Sequence, residues 1–226
     1  MKVLICTVFD INIPCAGLNR LKSMSKALKP FGVECLIAVG SGSIDLEGEP
    51  WRYWEDQDQK YILFDKSLFI AKRYCNAMRI AATAAKFYKK NLAEIINNIG
   101  LAGVIVYSPQ YQLIAPFFSV CKINKTFIIA DCGENYSLSF KYLLNGVFYQ
   151  QLKFKIFQMR KIDGAIISSQ RWLIDTKNAN IPASLIPGFL DSKDCFRQSA
   201  SLNSGKLKIT IMGRFMSREM PSVIIK

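Results

Sequence analysis

Lys2-Val3-Leu4-Ile5-Cys6-Thr7-Val8 is a near-continuous apolar run rich in β-branched residues. A strand with one wet face alternates apolar with polar. An unbroken run is the pattern of a strand buried on both faces, as in a parallel sheet layered between helices. The same kind of run returns along the chain, each time after a helical pattern. Leu18, Leu21, Met24 and Leu28 fall at helical spacing, with Arg20, Lys22, Lys26 and Lys29 interleaved, and Pro30 and Gly32 stop that helix. Residues 33–39 read as the second strand, closed by Gly40-Ser41-Gly42-Ser43.

Residues 45–59 are polar, carry Trp51, Tyr53 and Trp54, and read as an excursion outside the core. Residues 61–64 read as a short strand. Residues 66–98 carry one long alanine-rich helical pattern or two abutting helices. Residues 102–107 form a strand ended by Ser108-Pro109, and 110–122 an apolar helix that opens near Pro116. Residues 126–130 form another strand, followed at once by Asp131-Cys132-Gly133-Glu134-Asn135. A long helix is expected over 137–161, a strand over 164–167, a helix over 169–178 and a last strand over 183–186. Strands alternating with helices in this way specify a Rossmann-like, doubly wound parallel α/β sheet.

Residues 191–205 are serine-rich and read as a linker. Beyond them Leu207-Lys208-Ile209-Thr210-Ile211-Met212 reads as a buried strand turning at Gly213-Arg214. A strand, a turn and a helix opening cannot bury themselves. The expected organisation is one domain over 1–190, a linker over 191–205 and the incomplete start of a second domain over 206–226.

Half of the 226 residues are hydrophobic and 12% are aromatic, which excludes a globally disordered chain. Thirty Lys and Arg against 17 Asp and Glu give a net charge of +13. That balance favours an acidic partner: a phosphorylated ligand, anionic lipid or nucleic acid. No apolar run approaches the ~18–20 residues that span a bilayer. The N-terminus lacks the features of a signal peptide. The seven cysteines are odd in number and form no Cys-x-x-Cys pair, arguing for a reducing, cytoplasmic setting. The absence of histidine removes the commonest general base and metal ligand, so no metal site is expected.

An ordered series of motifs carries a resemblance. Gly17-Leu18-Asn19-Arg20 opens a helix that leads to Leu28-x-x-x-Gly32-Val33. Val104-Ile105-Val106-Tyr107 precedes an apolar helix and then Thr126-Phe127-Ile128-Ile129-Ala130-Asp131, with Glu134 following. Asp163-Gly164-Ala165-Ile166-Ile167-Ser168-Ser169, Ile186-Pro187-Gly188 and Ile209-x-x-x-Gly213-Arg214 complete it. The series resembles the N-terminal half of a GT-B glycosyltransferase of the retaining family four, with 206–226 matching the first strand and turn of the nucleotide-sugar-binding domain. Two departures stand out: the family's usual N-terminal-domain histidine is missing, and Glu219 and Met220 stand where a lysine is common, with Arg218 the nearest substitute.

The resemblance implies a hexosyltransferase-like enzyme moving a sugar from a nucleotide sugar to a glycan or lipid-linked acceptor. Cell-surface polysaccharide or glycoconjugate synthesis would be its setting. It implies no cofactor, metal-independent chemistry, catalytic residues in the absent C-terminal domain, and no turnover by this chain alone. Gly17 would face the donor diphosphate at a helix N-terminus, where unpaired N–H groups suit phosphate; the alternative is an ordinary tight turn. Asp131 and Glu134 would meet acceptor hydroxyls at the carboxyl end of a strand, or else cap the next helix. Arg214 would stabilise charge on the leaving diphosphate, and Arg218 is either its neighbour or a solvated residue.

Lys72, Arg79, Lys86 and Lys90 share one helical face, Lys22, Lys26 and Lys29 another, and residues 148–161 mix cations with large apolar side chains. Each is either a solvated face over the sheet or a contact with an anionic membrane surface, which would place the protein peripherally on the inner face of a membrane. The rival to the enzyme reading is a non-catalytic basic module docking on a membrane or a protein. Nucleic acid is not an expected partner, because the aromatics sit at apolar periodic positions rather than along an exposed stacking stripe.

Overall fold

The computed structural model describes residues 1–13, 15–65, 77–133 and 146–186, all within one compact unit. The linker and second-domain start expected beyond residue 190 lie outside the described residues. The strands are β1 (Lys2–Asp10), β2 (Glu34–Gly40), β3 (Trp51–Asp56), β4 (Gln59–Phe64), β5 (Gly103–Tyr107), β6 (Phe127–Cys132), β7 (Gly164–Ile167) and β8 (Ala183–Leu185). The helices are α1 (Ala16–Leu28), α2 (Ala77–Ile99), α3 (Tyr111–Ile123), α4 (Val147–Phe157) and α5 (Gln170–Ala179), with 3₁₀ turns at Lys29–Phe31 and Met159–Lys161. They form one sheet in the order β3-β4-β2-β1-β5-β6-β7-β8. All neighbours run parallel except β3 against β4.

The opening run earns its central place. Val3 to Cys6 pairs with both β2 and β5, and these four residues are buried. Alternate residues feed two cores, as the period of two in a strand requires. Val3 and Ile5 pack with Leu18, Leu21 and Met24 of α1. Leu4 and Cys6 join a second core that includes Leu92 of α2, Phe117 of α3, Phe154 of α4 and Trp172 of α5. The sheet is therefore doubly wound. Full burial of each α1 apolar side chain contributes about 1.5–3 kcal/mol, which holds α1 against the sheet.

Strand order changes direction beside β1: the chain builds outward through β2 on one side and through β5 on the other. Open α/β sheets place ligands at such a switch point, beyond the carboxyl ends of the strands. Phe9, Asp10, Tyr107 and Asp131 sit at those ends.

Three local expectations change. Residues 45–59 are not an excursion, since 51–56 form β3, an edge strand paired antiparallel from Trp51↔Phe64 to Asp56↔Gln59. Its turn uses Gln57 at φ +54 without the glycine that marks a tight hairpin in sequence, and Trp54 packs on Tyr61 with ring centroids 5.7 Å apart. α3 runs unbroken through Pro116, held by buried Leu113, Ile114, Phe117 and Cys121. Finally, β6 extends through Asp131 and Cys132, which pair with β7. Of the helix expected over 137–161, the described part is α4 and the 3₁₀ turn after it; 137–145 lie outside the described residues. The same holds for residues 66–76 of the helix expected over 66–98.

Candidate functional site

β1 leaves its neighbour before it ends. Its register against β2 slips between Cys6 and Asp10. In the gap the buried Thr7 hydroxyl donates to the Ala38 carbonyl at 2.7 Å and accepts from the Phe9 amide at 3.1 Å. Tyr88 of α2 donates its hydroxyl to the Thr7 carbonyl at 3.0 Å. These bonds fix the direction in which the chain leaves the sheet. The Asp10 carboxylate then accepts from the Asn12 amide at 2.8 Å, and the Asn12 side chain donates to Ser43 Oγ at 3.0 Å, tying the loop after β1 to the loop after β2.

α1 begins directly beyond. Cys15 is its N-cap, and Cys15 Sγ accepts from the Leu18 amide at 3.3 Å. The Ala16 and Gly17 amides are first-turn donors, which a helix leaves without an internal acceptor. Gly17 is required for space. A Cβ built there would stand 2.4 Å from the Phe9 ring and 2.9 Å from the Tyr107 hydroxyl. Those two rings pack at 5.2 Å, so the start of α1 rests directly on the ends of β1 and β5.

The second turn of α1 opens with Arg20. Its Nη2 donates to Asp131 Oδ1 at 3.0 Å and its Nε donates to Oδ2 at 3.3 Å, a two-point grip that suits guanidinium and carboxylate. Asp131 is 0% exposed and the Arg20 side chain 14%. Burial pushes the Asp131 carboxyl above its ordinary value, and the Arg20 charge and hydrogen bonds oppose that push. Around this pair the backbone is tightly determined. Ser108 takes φ +50 directly after β5, and its amide donates to the Asp131 carbonyl at 2.9 Å. Ser168, directly after β7, donates its hydroxyl to the carbonyls of Cys132 and Gly133.

Of the residues singled out from sequence, the structure brings Gly17 and Asp131 to one end of the sheet, linked through Arg20. Glu134, Arg214 and Arg218 lie outside the described residues. Arg20 stood in the opening motif, but its carboxylate partner 111 residues away was not legible. Tyr107 and Ser168 stood in the motif series without a role, and Asn12 was not singled out; each acts here through tertiary contacts. Among the described residues no cluster of acids and cysteines could hold a metal ion, and no helix is long and apolar enough to cross a membrane.

No family model matches the sequence, and no curated protein does. Solved structures do match the fold. A trehalose-6-phosphate synthase, OtsA, aligns at a TM-score of 0.54 and 12% identity, covering 85% of this chain and 50% of that one. An E. coli trehalose-6-phosphate structure bound with UDP-2-fluoro glucose aligns at 0.51 and 13%, with the same coverage. Apo UGT2 of Phytolacca americana aligns at 0.54 and 9%, covering 86% of this chain and 53% of that one. The chain thus spans about half the length of the structures it matches. At these identities the likeness is one of fold, a Rossmann-like α/β unit.

Proposed function

We propose that this chain is the acceptor-side half of a retaining glycosyltransferase of family four, which transfers a sugar from a nucleotide-sugar donor to a glycan or lipid-linked acceptor. The observation that carries this reading is the junction of α1 with the ends of β1, β5 and β6. There the start of α1, whose Ala16 and Gly17 amides have no acceptor within the helix, rests on Phe9 and Tyr107 through Gly17 and is clamped by Arg20 on Asp131. A fixed helix N-terminus presents positive potential to a diphosphate. The fold likeness to sugar-nucleotide enzymes and the ordered motif series support the same reading. Asp131, buried beneath Arg20, acts in this proposal by positioning Arg20 and α1, and the acceptor contact is assigned to Glu134.

The chemistry follows from charge. As the bond from sugar to diphosphate breaks, negative charge grows on the leaving group, and donors already aimed at it lower the barrier. The amides of α1 would serve from this half, and Arg214 and Arg218 from the other. The reaction proposed uses no metal ion and no cofactor, and its setting is cell-surface glycan synthesis at the cytoplasmic side. The test is acceptor-dependent release of nucleoside diphosphate from a set of nucleotide sugars, using a protein that joins this chain to a nucleotide-sugar-binding half. Arg214→Ala is expected to remove about 2–4 kcal/mol of transition-state stabilisation. Release that is absent with every donor, or unaffected by the Arg214 change, refutes the assignment.

A further inference from the structure

α4 is apolar on both sides. It buries Val147 and Phe154 together with Gln150 at 2% and Gln151 at 4% exposure, whereas Tyr149, Leu152, Ile156 and Phe157 stand 49%, 39%, 60% and 58% exposed. The buried amides have a structural reason. α3 starts at Tyr111 without a side-chain cap of its own. Gln150 Oε1 accepts from the Gln112 amide at 3.1 Å, and Gln158 just beyond α4 donates to the Tyr111 carbonyl at 3.1 Å. No comparable reason inside the described residues explains four large apolar side chains turned outward on one short helix.

Cations frame that face. Lys153 projects among the apolar residues, its Nζ 4.5 Å from the Tyr149 ring centroid and 5.6 Å from that of Tyr111. Arg160 and Lys161 follow, both exposed. Lys155 is engaged elsewhere, with Asp175 at 2.7 Å. The sequence holds no Asp or Glu between Glu134 and Asp163. Nothing on α4 itself therefore repels an anion.

We propose that the outward face of α4 docks on an anionic lipid bilayer, with Leu152, Ile156 and Phe157 entering the headgroup boundary and Lys153, Arg160 and Lys161 meeting lipid phosphates. Lipid fits this face better than a protein does. Protein interfaces deplete lysine at their centres. An interfacial helix combines exposed aromatic and aliphatic side chains with long cations, which reach polar headgroups while their stems stay in the apolar layer. The excess of positive charge on the whole chain adds long-range attraction to the same surface. This surface is independent of the sheet-end site, and the proposal does not rest on the transferase reading.

Co-sedimentation of the 226-residue chain with vesicles tests it. Vesicles containing phosphatidylglycerol should bind, vesicles of phosphatidylcholine alone should not, and binding should weaken as salt rises from about 0.1 M to about 0.5 M. The double change Ile156→Ser with Phe157→Ser should lower partitioning about tenfold or more, since buried apolar area sets much of the binding strength. Arg160→Gln and Lys161→Gln should each lower it about fivefold. Circular dichroism verifies that each variant is folded, and the two charge variants decide the matter if the apolar double change is not. Equal binding to both vesicle types, or wild-type binding by the folded variants, overturns the proposal. So does a dimer in sedimentation velocity that the apolar double change converts to monomer, because a second copy would then cover the face.

Discussion

Arg20 and Asp131 meet across 111 residues of chain, and their pairing sets the energetics of the sheet end. A carboxylate at 0% exposure gives up its hydration, and the Arg20 guanidinium offsets that cost. Arg20→Ala should therefore destabilise the fold by about 3–5 kcal/mol at neutral pH, the scale for stranding a buried charge. The sign of its pH dependence follows from the raised Asp131 carboxyl. A carboxyl raised in the folded state binds its proton more tightly there than in the unfolded chain. Its stabilising contribution is complete in acid and is lost as pH rises past the unfolded value near 3.8 and through the higher folded one. Removing Arg20 raises that carboxyl further. The gap between variant and wild type should shrink on acidification, and urea denaturation at mildly acidic and neutral pH measures it. A gap that widens in acid would mean that Asp131 is not the charge at stake. The cysteines give a second test. Burial pushes the thiols of Cys6 and Cys132 well up, that of Cys35 to about 11 and that of Cys121 to about 12. In the native chain these four should resist iodoacetamide at slightly alkaline pH and react on unfolding, as peptide mapping by mass spectrometry would record. Cys6, Cys35 and Cys121 each stand within an apolar run of the sequence, where cysteine behaves as a small hydrophobe. The sequence could not foretell Arg20 on Asp131, because neither position constrains the other until the strands are ordered.

Helices show where pattern reading succeeds and where it fails. α1 was legible because its buried face, Leu18, Leu21 and Met24, recurs at helical spacing. The need for Gly17 was legible only as a turn or a phosphate loop, whereas the structure gives a packing cause in the Phe9 and Tyr107 rings. Gly17→Val should cost about 1–3 kcal/mol by overpacking, seen as a lower midpoint in denaturant. If its stability matches wild type, the rings have given way and the start of α1 is not fixed by them. α4 falls within the helix expected over 137–161, but which of its faces is buried was not legible, because apolar side chains lie on both and a buried glutamine looks like a solvated one until its partner is known. Gln150→Ala strands the Gln112 amide at the start of α3. A loss of about 1–3 kcal/mol is expected, with the largest gain in hydrogen exchange at the first turn of α3. A loss spread evenly over the whole unit would instead point to packing rather than capping.

At the scale of the molecule, strand–helix alternation made the doubly wound sheet readable, and the switch point beside β1 followed from strand order. The β3 edge was not readable because its pairing depends on cross-strand aromatic contacts. A switch point built from one helix N-terminus and an internally satisfied ion pair offers a nucleotide sugar only a few contacts. Among the described sheet-end residues, the Phe9 and Tyr107 rings pack on each other and against Gly17, the Asp10 carboxylate accepts from the Asn12 amide, and Asp131 is held by Arg20. The 226-residue chain should then bind UDP-glucose or GDP-mannose more weakly than about 1 mM, that is, with less than about 4 kcal/mol of binding free energy. Isothermal titration calorimetry with each donor measures this directly. Saturable binding in the micromolar range would require a complete donor site within this chain, and the roles proposed for the two halves would have to be exchanged. Weak binding that Gly17→Val abolishes would instead locate the residual diphosphate contact at the start of α1, where Gly17 packs on the ends of β1 and β5.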